Sequence, residues 1–257
     1  MAEPLVLTSV EGATATLILN RPARHNSLVP ELLEELSEAI DSLDTHALSC
    51  LVLAANGRSF STGGDVAGFA DLPRGQRRIY ADRLVGLLNT VILQLIDCPV
   101  PVIARVQGPV TGGSCALVFA SDLVAFGPRA FVQSYYVDVG FAPDGGWTAL
   151  LPERIGVTRA SAIQMLNRRI GADEALALGL ATRLVAEADL DATIADWTTT
   201  LAGKVRGSLV ATRALLTPPA RRLVLADALE RERQRFLSLI ETDETEAGMA
   251  RFLGRAA

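Results

Sequence analysis

Apolar and polar residues alternate over the first twenty positions of the chain and then change to a helical spacing. Residues 5–10 and 14–20 alternate with a period of two around Glu11 and Gly12, which predicts a hairpin of two strands. After Pro30, apolar residues at positions 32, 33, 36, 39, 40 and 43 recur every three or four residues, which predicts an amphipathic helix. The chain is therefore expected to begin with two strands and one helix.

Short apolar runs then alternate with helical segments. Strands buried on both faces are predicted at residues 50–54, 100–106 and 123–126. Helices are predicted at residues 76–96 and 114–120, and in a stretch that follows the Pro-Asp-Gly-Gly turn at 143–146 and runs through residue 151. This order predicts an α/β fold with mainly parallel strands.

From residue 189 onward the pattern is helical, including residues 223–240 and 244–253. We therefore expect a core over residues 1–195 and a C-terminal helical region over residues 196–257.

The composition excludes several functional classes. Hydrophobic residues make up 49% of the chain and charged residues 21%, which is enough apolar material for a large core and excludes a disordered protein. The net charge of -5 argues against nucleic-acid and membrane partners, because those need clustered positive charge. The most apolar long stretch, residues 84–96, is too short to span a bilayer, and the N-terminus carries no signal-peptide pattern. We expect a cytoplasmic protein without a transmembrane helix.

Cysteine and histidine usage argues against disulfides and metal sites. Cys50, Cys98 and Cys115 are widely spaced in apolar surroundings, which predicts buried free thiols. His25 and His46 are the only histidines, and neither has the spacing to a cysteine or carboxylate that metal ligands usually show. We expect no metal and no redox cofactor.

Two glycine turns, at residues 61–65 and 111–114, follow predicted strands. The carboxyl ends of strands are where α/β folds bind ligands, and glycine turns present backbone N–H groups with little steric cover. Two such turns facing each other would stabilise an oxyanion. The alternative is that each Gly-Gly pair only permits a tight turn. Neither turn matches a phosphate-binding loop or a serine-hydrolase elbow.

Five segments, in order, resemble motifs of the crotonase (enoyl-CoA hydratase/isomerase) superfamily. Residues 20–28 resemble NRPxxxNAL, 56–66 resemble GxxFxxGxD, 107–115 resemble NGxxxGGG[CA], 140–146 resemble GxxPxxGG, and 242–255 resemble the EGxxAFLxKR tail. The resemblance covers nearly the whole chain and implies an α/β spiral of ββα turns with a helical C-terminal trimerisation region. It also implies a homotrimer or dimer of trimers that acts on acyl-CoA thioesters, with coenzyme A as part of the substrate and not a cofactor.

The resemblance also assigns candidate site residues. The N–H groups of Gly64 and Gly113 would form the oxyanion hole that holds a thioester enolate. Candidate substrate-binding residues are Arg24, His25, Ser61, Asp65, Val66 and Tyr136. Asp65 is expected to be a helix cap or a local hydrogen-bond partner, and Tyr135 and Tyr136 to form the pocket wall, with a hydroxyl that orients the acyl chain.

One departure from the family pattern concerns its hydratases, which carry two glutamates. The corresponding positions here are Ala116 and Tyr136. Hydration needs one group to activate water and another to deliver a proton, and neither a methyl group nor a phenol replaces a carboxylate well. This argues against ordinary hydratase activity.

Asp144 stands where some isomerases and dehalogenases of the superfamily carry their working carboxylate. An isomerase needs one base that moves a proton between two carbons, so the sequence favours an acyl-CoA isomerase of the 3-enoyl to 2-enoyl type. Asp138 is a reserve base. Because Pro-Asp-Gly is also a turn signal and Asp a common helix N-cap, a structural role for Asp144 stays open. The alternative functions are a divergent hydratase or acyl-CoA hydrolase, and a catalytically silent CoA-thioester-binding protein.

Overall fold

A computed structural model describes residues 3–255. Its strands are β1 (Val6–Glu11), β2 (Thr14–Leu19), β3 (Cys50–Ala55), β4 (Val102–Val106), β5 (Val110–Thr111), β6 (Leu123–Phe126), β7 (Phe131–Gln133), β8 (Ile170–Gly171) and β9 (Arg183–Leu184). Its α-helices are α1 (Pro30–Asp41), α2 (Val66–Ala70), α3 (Arg74–Asp97), α4 (Cys115–Phe119), α5 (Tyr136–Val139), α6 (Leu151–Ile155), α7 (Val157–Met165), α8 (Ala172–Ala177), α9 (Leu190–Ala202), α10 (Arg206–Leu216), α11 (Pro219–Leu239) and α12 (Asp243–Phe252).

The main sheet has six strands in the order β1-β2-β3-β4-β6-β9. The β1–β2 hairpin is antiparallel, and all the other pairs are parallel. All six residues of β3 are buried, as its unbroken apolar run predicts for a central strand covered on both faces. The predicted hairpin, the α/β class and the mainly parallel sheet are confirmed.

A second, smaller sheet has the order β5-β7-β8. Its strands contain two or three residues each. Strands this short have no hydrophobic period, so the sequence analysis did not predict them. They matter because the second glycine turn begins at the end of β5.

Helix α3 is the central helix of the fold. It packs against α1 and α11 and buries ten of its residues, including Leu84, Leu88 and Ile92. Among the described helices it is the one that is long and apolar enough to cross a membrane by length and composition alone. It extends beyond the apolar stretch at 84–96 on which the sequence prediction was based. Its packing identifies it as a core helix.

The expected boundary at residue 195 falls inside α9. Leu190 and Trp197 on this helix pack against Cys50 and Ile103 of the main sheet, so the helix belongs to the core on both sides of the boundary. Residues 1, 2, 256 and 257 of the two predicted regions lie outside the described residues. The division into a core and a C-terminal helical region stays a prediction.

The helix predicted to run through Leu151 is wrong in its bounds. Residues 145–150 form turns, and α6 begins only at Leu151. Gly145 and Gly146 have φ angles of 60° and 79°, which end regular structure there. The irregular segment between α5 and α6 carries Asp144.

The three cysteines are free and buried, as predicted.

Candidate active site

The two glycine turns lie side by side. Ser61 and Val110 form a parallel bridge, and the N–H of Thr111 donates to the carbonyl of Ser61 over 3.1 Å. A Cβ at Gly63 would lie 2.8 Å from the carbonyl oxygen of Thr111 and 3.2 Å from Cα of Gly112. This close approach, together with a φ of 77° at Gly63, requires glycine.

Both proposed oxyanion donors face one cavity. Gly113 lies in the first turn of a short 3₁₀ helix (Gly112–Ser114), where N–H groups have no partner within the helix. Within residues 3–255, the N–H of Gly64 donates to no backbone oxygen. Both glycines line the cavity.

The cavity has a volume of about 960 Å³, and its lining contains two chemically different sets of side chains. One set is apolar and includes Phe69, Leu84, Leu88, Phe141 and Phe236. The other consists of solvent-exposed cations, namely Arg24, Arg58, Arg129 and Arg169. This combination suits a ligand with an apolar chain and an anionic group.

Asp144 lines the cavity and also lies next to Gly113 of the second glycine turn. Its side chain is buried, and a Cβ added to Gly113 would lie 2.8 Å from Asp144 Oδ1. The Tyr136 hydroxyl donates a hydrogen bond to that same Oδ1. Within the described residues, Asp144 Oδ2 accepts no side-chain hydrogen bond.

Burial raises the pKa of Asp144 from 3.8 to about 7. The hydrogen bond from Tyr136 lowers this pKa, and the negative charge of Glu232 raises it. A carboxyl group with a pKa near neutrality exchanges protons efficiently at physiological pH.

Five of the predicted substrate-binding residues line the cavity. They are Arg24, His25, Asp65, Val66 and Tyr136. Ser61, for which the resemblance implies a backbone contact to the substrate, is not among the lining residues: its side chain is fully buried, and its hydroxyl donates to the carbonyl of Asn26 over 2.6 Å.

Asp65 occupies the N-cap position of α2 but forms no side-chain cap. Its carboxylate accepts hydrogen bonds from Arg24 at 3.0 Å and Arg21 at 3.5 Å. Burial alone would raise the pKa of Asp65, but these two guanidinium groups lower it overall. Asp65 is thus a local ion-pair partner that orients Arg24. Because its pKa is lowered, its carboxylate is a weak base.

Two further expectations are corrected. Asp138, the reserve base, is exposed, binds the amide of Asn167 and does not line the cavity. The hydroxyl of Tyr136 binds Asp144, so it is not free to orient an acyl chain. Asp138 points away because it lies two residues after Tyr136 on the short helix α5, on a different face from the buried tyrosine.

Glu232 is the site residue that the sequence analysis missed. It is buried on α11, and its carboxylate binds the backbone of residues 146–149, directly after Asp144 and Gly145. In the sequence it stands in a charged run at residues 230–235, typical of a solvated helix face. The available signal is its spacing from Leu225, Leu229 and Phe236, which places it on the apolar face.

Within residues 3–255, no three His, Cys, Asp or Glu side chains lie close enough together to hold a metal ion.

Comparison with known protein families decides which family this fold and site represent. The family model for enoyl-CoA hydratase/isomerase matches residues 9–257. The chain belongs to the enoyl-CoA hydratase/isomerase family. Its members are crotonase-superfamily enzymes that act on acyl-CoA thioesters, and the fold class inferred from the sequence motifs is confirmed.

Relatives of this family member have names from both branches of the family. Trans-2-decenoyl-[acyl-carrier-protein] isomerase of Streptococcus mutans is 34% identical over 68% of this chain and 67% of its own length. A probable enoyl-CoA hydratase of Mycobacterium leprae is 32% identical over 71% of this chain and 64% of its own length. Human enoyl-CoA delta isomerase 2 is 31% identical over 71% of this chain and 46% of its own length. The matched part thus spans about two thirds or less of these relatives.

Solved structures of other family members confirm the fold. An enoyl-CoA hydratase from Bacillus halodurans superimposes with a TM-score of 0.89 over 96% of this chain and 99% of that chain, at 22% identity. An enoyl-CoA hydratase from Mycobacterium avium subsp. paratuberculosis gives a TM-score of 0.86 over 97% of this chain and 99% of that chain, at 24% identity.

Proposed function

We propose that this family member is an acyl-CoA isomerase that converts 3-enoyl-CoA to 2-enoyl-CoA, with Asp144 as the proton shuttle. The observation that carries the proposal is the position of Asp144: a buried carboxylate with a pKa of about 7, beside Gly113 and facing the apolar cavity. The proposal includes the homotrimeric or hexameric assembly and the cytoplasmic location expected from the sequence.

The reaction needs one base and one oxyanion site. Asp144 removes a proton from C2 of the 3-enoyl thioester, and the electron pair of that C–H bond moves into the thioester carbonyl. The N–H groups of Gly64 and Gly113 stabilise the resulting enolate oxygen. Asp144 then returns the proton to C4, and the double bond moves between C2 and C3. No water, metal or redox partner takes part.

The carboxylates around the cavity favour isomerisation over hydration. Among the described lining residues, only Asp65 and Asp144 are carboxylates, and Asp65 is held by Arg24 and Arg21. Ala116 is fully buried in α4 and offers no proton-transfer group. Asp144 would therefore have to activate water and deliver a proton alone, which one carboxylate does poorly. A divergent hydratase remains the second candidate because a probable hydratase is among the relatives.

Product analysis tests the proposed function. We expect the purified protein to convert 3-enoyl-CoA esters to 2-enoyl-CoA and to form little or no 3-hydroxyacyl-CoA from crotonyl-CoA, measured by liquid chromatography with mass detection. Efficient hydration of crotonyl-CoA would contradict the isomerase assignment and identify the protein as a hydratase. Release of free coenzyme A would favour a hydrolase, and binding without any turnover would favour a silent acyl-CoA-binding protein.

Tyr136→Phe is expected to change the pH dependence of this activity. The hydroxyl lowers the pKa of Asp144, so its removal raises that pKa. Because the base must be ionised, the acid limb of kcat/KM is expected to move to higher pH by roughly one unit. The matched control is Tyr135→Phe, since Tyr135 lines the same cavity and donates no hydrogen bond to Asp144. An identical acid limb in both variants would contradict the assignment.

A further inference from the structure

Glu232 is a buried carboxylate that the reaction itself does not use. It lies on the apolar face of α11 with Leu229 and Phe236, and only 4% of its surface is exposed. No ion pair among the described residues includes it, and its sequence neighbours Arg231 and Arg233 pair with Asp227 and Asp82. An unpaired buried carboxylate is costly, so its retention needs an explanation.

The carboxylate is bound by four donors from one short segment. Glu232 Oε2 accepts a hydrogen bond from the N–H of Gly146 at 2.8 Å. Glu232 Oε1 accepts hydrogen bonds from the N–H and the hydroxyl of Thr148, both at 2.6 Å, and from the N–H of Ala149 at 3.0 Å. Charge-assisted hydrogen bonds of this length are strong and directional. Glu232 therefore fixes residues 146–149 relative to α11.

The same segment is attached to the second glycine turn on its other side. The indole N–H of Trp147 donates to the carbonyl of Gly112 over 2.8 Å. A Cβ at Gly145 would lie 2.5 Å from the carbonyl oxygen of Gly113, so the two backbones are in direct contact. Asp144 is joined to this segment by a single residue. Its position beside Gly113 thus depends on how the segment is held.

We propose that Glu232 is a positioning residue for the proposed isomerisation: it fixes the segment that holds Asp144 against Gly113. The inference rests on the proposed function in so far as Asp144 is the base. It adds a residue from α11 that does not line the cavity.

Glu232 also affects Asp144 through its charge. The titratable groups that are electrostatically coupled to Asp144 are Tyr136 of α5, Cys115 of α4 and Glu232 of α11. Burial raises the pKa of Tyr136 and of Cys115 well above their ordinary values, so both stay neutral where Asp144 titrates. Burial also raises the pKa of Glu232, and its four hydrogen-bond donors act against that rise. When Glu232 is ionised, its negative charge opposes ionisation of Asp144.

Three variants separate charge from geometry. Glu232→Gln removes the charge, and we expect the acid limb of kcat/KM to move to lower pH by roughly one unit, with a lower kcat. Glu232→Asp keeps the charge but shortens the side chain, so we expect a lower kcat with the acid limb unchanged. KM should change little in both. Glu230→Gln, on the same helix and exposed, is the matched control and should behave as the wild type.

A direct titration keeps this test independent of turnover. The carboxyl stretch of Asp144, obtained as the infrared difference between each protein and its Asp144→Asn form, reports protonation without substrate. We expect half-protonation of Asp144 at lower pH in Glu232→Gln than in the wild type and in Glu232→Asp. The same midpoint in all three would overturn the charge role, and unchanged kcat in both Glu232 variants would overturn the positioning role. A shifted midpoint in a protein without isomerase activity would instead reject the proposed function alone.

Discussion

Replacing Asp144 by asparagine is expected to reduce kcat for conversion of 3-enoyl-CoA to 2-enoyl-CoA by roughly 10³-fold or more, because the single proton shuttle is lost. Asparagine has nearly the same shape, and its carbonyl oxygen can still accept the hydrogen bond from Tyr136 that the structure gives to Oδ1. The cavity and the oxyanion donors Gly64 and Gly113 stay in place. Binding of a non-reactive acyl-CoA, measured by calorimetry, should therefore change less than threefold.

Asp138→Asn is the matched control for this variant. Both aspartates belong to the region between β7 and α6, but Asp138 is exposed and lies outside the cavity. We expect its kcat to equal that of the wild type. Full activity in Asp144→Asn, or a loss confined to Asp138→Asn, would move the base to another residue and reject the mechanism. Loss of acyl-CoA binding in Asp144→Asn would mean that the residue holds the pocket together instead.

Hydrophobic periodicity predicted the long elements of this fold because each of them contains many side chains that follow the helical or strand spacing. The observed α3, Arg74–Asp97, differs by a few residues from the helix predicted at 76–96. Short elements give no such signal: β5 has two residues, and its strand character depends on pairing with β7, which lies about twenty residues farther along the chain. Tertiary pairing decides such segments, so a local pattern cannot identify them.

The site shows the same division between local and distant information. Gly64, Gly113 and Asp144 stand in motifs that a sequence displays directly. The hydrogen bond from Tyr136 to Asp144 links residues eight positions apart and gives a tyrosine expected in the pocket wall a role in setting proton affinity. Glu232 lies 86 positions from Gly146, and its partners are backbone N–H groups. Backbone partners leave no residue-type signature, so this contact could not be predicted from the sequence.

Burial of Asp144 has an energetic cost that its replacement should reveal. The pKa is 3.8 in an unfolded chain and about 7 in the fold, so the folded state binds the proton more tightly. Stability from this group is therefore fully present below pH 3.8 and is lost as the pH rises through about 7. Above that pH the fold contains an ionised, buried carboxylate. One pKa unit corresponds to about 1.4 kcal/mol, so the total cost is on the order of 4 kcal/mol.

Asp144→Asn should consequently be more stable than the wild type at pH 8, because the amide never ionises. Between pH 5 and pH 8, the difference in free energy of unfolding between variant and wild type should grow by roughly 2 to 3 kcal/mol in favour of the variant. Urea unfolding at both pH values and one protein concentration measures this difference, and Asp138→Asn should show none. A difference that does not change with pH would mean that Asp144 ionises as easily in the fold as in water. The proposed base would then lack the environment that suits it to move protons, since the burial that destabilises the ionised carboxylate is the same property that brings its pKa near neutrality.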